Sequence, residues 1–67
     1  MECRVVIDND QYYECENMHE AYKVLLVNGL FDRAVNMERV KYAVQKGLMT
    51  HGRVSLANRA GVRAVIF

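Results

Sequence analysis

The sequence predicts a small single-domain α+β fold: a β-hairpin, two helices and a C-terminal β-hairpin. Three observations carry that expectation. The 67-residue chain is 52% hydrophobic, enough for one small core and too apolar for a disordered tail. Strand-like segments stand at both ends, each interrupted by turn-forming residues. Between them lie two stretches with helical apolar spacing, each opened by Asn-Met and each reaching Gly-Leu further on.

The first hairpin joins Cys3–Asp8 (CRVVID) to Gln11–Glu16 (QYYECE) across Asn9-Asp10. Its register follows from setting opposite charges across from each other and apolar groups together. Arg4 faces Glu14 and Val6 faces Tyr12 on one side; Val5 faces Tyr13 and Cys3 faces Cys15 on the other. Opposite charges and apolar groups then meet across the strands. This needs a three-residue loop centred on Asn9, since a two-residue loop would set Val5 against Glu14.

Asn17 opens the first helix, with Glu20 placed to reach back as a capping box. Met18, Ala21, Tyr22, Leu25 and Leu26 form its apolar face, and Asn28-Gly29 stops it, because both residues tolerate left-handed backbone. Asn36 repeats the start signal. Met37, Val40, Ala43 and Val44 make the second stripe, and Gly47 reads as its end. The parallel between NM…GLF and NM…GLM is read as two helices of one length using the same cap chemistry, rather than as a duplication. In the remainder, Val54 and Leu56, then Val62, Ala64 and Ile66, alternate with polar or small residues around a turn at Asn58–Gly61, giving two strands.

From Asn36 to Phe67 the chain resembles the second half of a winged-helix DNA-binding domain. NMERVKYAVQKGLM corresponds to its recognition helix, and Arg53 to Phe67 to its two-stranded wing, with Arg59 and Gly61 at a basic, glycine-containing tip. For the short second helix of that family only Leu30–Val35 (LFDRAV) is available. SLANRAGVRAVIF also looks like the start of a helix-turn-helix, with Ala57 and Gly61 spaced as in that motif. Only six residues follow Gly61, less than two helical turns, and they alternate as a strand does.

The net charge of +1 conceals an asymmetry. Residues 1–32 hold seven acids and two bases, a net of −5; residues 33–67 hold one acid and seven bases, a net of +6. Such a split points to a nucleic acid, or to an acidic protein surface, as partner for the basic half. On the second helix Arg39 and Lys46 share a face. Lys41 stands beside Tyr42, which lies off the apolar stripe and offers a ring for stacking. Arg53, Arg59 and Arg63 sit on the hairpin, where the planar guanidinium suits phosphate or carboxylate. The expected function is non-catalytic: nucleic-acid binding or modulation of transcription through this half. The alternative is a protein–protein interaction module, an inhibitor or adaptor of a larger host complex of the kind bacteriophages encode. A homodimer is a third arrangement, since pairing two hairpin edges would cover exposed strands.

Other classes fall away. Apolar runs such as Val24–Val27 are far short of the roughly 20 residues that span a bilayer. MECRVVID is no secretory signal, so a cytoplasmic location is expected, with Cys3 and Cys15 as buried thiols. Cys15 and His19 form one close pair, with Cys3 and His51 elsewhere; structural zinc sites show two such pairs, so neither metal nor cofactor is expected. There is no nucleophile motif, phosphate loop or helical carboxylate pair, hence no enzyme and no small-molecule substrate.

Overall fold

The computed structural model describes residues 2–31 and 36–67, and in them the element order is β1 (Cys3–Ile7), β2 (Gln11–Cys15), α1 (Met18–Val27), α2 (Met37–His51), β3 (Val54–Ala57) and β4 (Arg63–Ile66). The α+β order read from the sequence is the observed one. The single turn read at Leu30–Val35 falls mostly on residues 32–35, outside the described residues.

The β1–β2 register is the expected one, from Cys3 opposite Cys15 to Ile7 opposite Gln11. Asp8 and Asn9 take φ of 54° and 57°, and the Asp10 N–H donates to the Ile7 carbonyl at 3.0 Å. Positive φ at both central residues matches the right-handed twist of the flanking strands. Asp and Asn adopt it at lower cost than other non-glycine residues. The two hairpins do not stand apart. β1 and β4 pair antiparallel, Val5 opposite Ile66, so the strands form one sheet in the order β2-β1-β4-β3. Asp8 secures this joint: its N–H donates to the Arg63 carbonyl, and its carboxylate accepts from the Arg63 N–H, both at 2.8 Å.

α1 starts at the predicted cap: the Asn17 side chain accepts from the Glu20 N–H at 2.9 Å. The Glu20 carboxylate reaches back one residue further than the capping box read from the sequence, accepting from the Glu16 N–H at 2.8 Å. The helix ends at Asn28-Gly29, with Gly29 at φ 76° and the Leu30 N–H donating back to Leu25. Beyond it Phe31 stacks on Tyr22, ring centroids 5.4 Å apart.

α2 departs from the sequence reading in three respects. It does not end at Gly47 but runs to His51, and Gly52, at φ 77°, is its cap. The helices are therefore of unequal length, 10 and 15 residues. Ala43 is exposed, and the inward positions are Val44 and Leu48. Gly47 has a packing reason: a Cβ there would lie 2.5 Å from Val54 Cγ2. The glycine lets β3 approach the helix.

Both helices cover one face of the sheet, α1 over β1 and β2 and α2 against β3. The core lies between, with Leu25, Ile66 and Val5 the largest fully buried side chains. Burying each contributes about 1.5–3 kcal/mol. The smallest dimension, 19 Å, accommodates these two layers and no third. Neither helix covers the other sheet face, which is bare among the described residues. No helix among the described residues is long and apolar enough to cross a membrane.

Candidate functional site

The sheet order turns the charge asymmetry of the sequence into one of space. β2, β1 and α1 form one side of the molecule, β4, β3 and α2 the other, and they meet where β1 pairs with β4. The acids Asp10, Glu14 and Glu16 accordingly lie along or beside β2, and the arginines Arg53, Arg59 and Arg63 along the β3–β4 hairpin. Direct contact does not neutralise them. The one ion pair among the described residues is Lys41–Glu38, at 3.4 Å within α2. Arg4 faces Glu14 across β1–β2 without pairing to it.

The predicted basic residues divide between two surfaces. Strand alternation sends Arg53 and Arg63 to the bare sheet face, because their neighbours Val54 and Ala64 point into the core. They border a depression of about 620 Å³ over Val6, Val65 and Ala57. Arg59 stands exposed at the hairpin tip. Asn58 fixes that tip: its side-chain oxygen accepts from the Val62 N–H at 2.9 Å, and its NH₂ donates to the Gly29 carbonyl at 2.8 Å. Arg39, Tyr42 and Lys46 are exposed on the side of α2 away from Val44 and Leu48, and so away from the sheet. Tyr42, 68% exposed, borders a hollow of about 340 Å³ with Lys46 and Met49. Lys41 is withdrawn from both surfaces, half-buried beside α1 and paired with Glu38. Arg53 and Arg63 are thus brought together, while the α2 residues look the opposite way.

Sequence reasoning missed Arg4, Val6, Tyr12, Val65 and Phe67, which share the bare face with Arg53 and Arg63. Alternation along each strand marks them as a set opposite the core, but their adjacency needs the β1–β4 pairing. Two short hairpins give no local sign of it.

The thiols have no part in either surface. Cys3 and Cys15 face each other inside the core. Burial, and then the neighbouring Cys15, pushes the Cys3 thiol up to about 11. Burial and Glu20 push Cys15 up as well. Protonated, buried thiols are poor nucleophiles. Cys15 faces inward and His19 outward, and among the described residues no three His, Cys, Asp or Glu side chains converge as metal ligands would. Comparison with protein-family models, with curated proteins and with solved structures found no match.

Proposed function

We propose that the protein is a non-catalytic, cytoplasmic nucleic-acid-binding protein that works through its basic C-terminal half. One observation carries the reading: the fold keeps the acidic and basic halves side by side, and among the described residues the arginines of the β3–β4 hairpin make no ion pair with an acid. Arginines free of carboxylate partners suit a phosphate backbone, whose neutralisation releases counterions. The helix-then-hairpin order resembles that of winged-helix domains, and modulation of transcription is the finer form of this reading. β4 is an inner strand, so the part of the hairpin that projects is the tip around Arg59.

Titrating a labelled oligonucleotide at several salt concentrations tests it. Each phosphate contact contributes about −0.7 to −0.9 to the log–log slope, so Arg53→Gln or Arg63→Gln should each flatten the slope by nearly one. Absence of binding at low salt defeats the reading. The competing reading, a protein partner such as a larger complex that this chain inhibits or adapts, is favoured by Tyr42 and Met49, 68% and 74% exposed on the outer side of α2. A stoichiometric protein captured from nuclease-treated lysate, and lost with Tyr42→Ala, would select it.

A further inference from the structure

Attraction between charges leaves the middle of the bare sheet face unexplained. There Tyr12, Val6, Val65 and Ser55 form one row across all four strands. Val6 and Val65 are half-buried, uncovered by either helix, and floor the depression that Arg53 and Arg63 border. Arg63 stands opposite Ala57. Arg53, immediately before β3, precedes Ala57 by four residues, so the two arginines are about 13 Å apart along the strand direction, with the apolar row between them.

A duplex fits this floor poorly. Its phosphates lie outermost and its base faces are stacked inside, so valines beneath it would meet sugar and phosphate. A single strand can lay unstacked bases on an apolar or aromatic surface while its phosphates remain within reach of cations. We infer that the bare sheet face takes single-stranded nucleic acid, with bases on Tyr12 and the Val6–Val65 row and phosphates at Arg53 and Arg63. This rests on the nucleic-acid reading above. Glu14 on β2 repels phosphate, which keeps the backbone toward the β3–β4 side, while the Asp8 carboxylate, which accepts from the Arg63 N–H, lowers the positive potential at the Arg63 end and leaves Arg53 the stronger phosphate contact. Phe67, 44% exposed and hydrogen-bonded through its backbone to Arg4, extends the same surface at one end.

Fluorescence anisotropy with three labelled DNA probes tests this: a single strand of about ten nucleotides, its duplex, which carries about twice the phosphates, and an abasic strand of the same length as the first. The single strand should bind at least about fivefold more tightly than either other probe. Tyr12→Ser, at an exposed edge-strand position, and Val65→Thr, nearly isosteric, should each lose several-fold in single-strand affinity, with binding of the abasic strand unchanged. Thermal melting confirms that each variant folds. Equal binding of the three probes overturns the inference and leaves nucleic-acid binding standing. So does an unchanged single-strand affinity in both folded variants. Displacement by polyglutamate of equal charge, as readily as by unlabelled strand, overturns it in favour of an acidic peptide. Absence of binding by every probe at low salt removes the underlying reading as well.

Discussion

Replacing Gly47 by alanine sets two opposing effects against each other. Within a helix, alanine is favoured over glycine by about 1 kcal/mol, so the substitution would stabilise α2 considered alone. The added Cβ, however, would lie 2.5 Å from Val54 Cγ2 and 3.8 Å from Val54 Cβ. The near atom belongs to a β-branched side chain with little χ1 freedom, so either the valine leaves its preferred rotamer or β3 moves. Overpacking of this kind costs about 1–3 kcal/mol. The sum is a net loss of roughly 0–2 kcal/mol, a fall of up to about 15 °C in Tm for a domain of this size. Urea unfolding of a double-mutant cycle isolates the cause. With Val54→Ala as background the obstructing methyl is gone, and Gly47→Ala should then stabilise by nearly the full helix preference. The sign of the effect reverses between backgrounds. If Gly47→Ala stabilised the unaltered protein by about 1 kcal/mol, the close approach of β3 to α2 would be refuted.

Two further perturbations address other parts of the fold. Asn58→Asp keeps an acceptor for the Val62 N–H but loses the donor to the Gly29 carbonyl, setting two oxygens against each other; a loss of about 1–2 kcal/mol is expected in thermal melting, and an unchanged Tm argues against the link between the tip and the end of α1. The Cys3 thiol keeps its proton in the fold up to about pH 11, against an ordinary value near 9. The folded state therefore binds the proton more tightly, and this contribution is complete below pH 9 and lost as pH rises toward 11. The urea midpoint should fall more steeply across that window in the unaltered protein than in Cys3→Ala, and parallel curves would contradict the assignment.

What the sequence made legible was local. Arg4, Glu14, Val6 and Tyr12 fix the register of the first hairpin because a shift of one residue turns every side chain to the other face. Asn17 and Asn36 announce helix starts because their side chains satisfy N–H groups two or three residues away. Gly47 misled for the complementary reason. A glycine after an apolar stripe looks like a stop, whereas this one answers to Val54, which belongs to the next element. Asp8 shows in the sequence only as the end of the first strand segment, beside the turn; its role in accepting from Arg63 depends on a strand 55 positions away. The candidate site shows the same division. The basic half was visible by counting, and Tyr42 is exposed as expected. The gathering of Arg4, Tyr12, Arg53 and Arg63 on one face was not, because it depends on which strands are neighbours.

The β1–β4 pairing also sets an order in time. Each hairpin closes a short loop, but Val5 and Ile66 are 61 positions apart. Closing so long a loop costs more entropy than closing either hairpin, and such long-range pairings slow folding. β4 is also synthesised after every other element described. Until it arrives, β1 is a free edge, and Cys3, Val5 and Ile7 lack the strand that completes their side of the core. An uncovered edge of that kind invites pairing with another chain. The nascent protein is therefore most exposed to aggregation just before β4 docks.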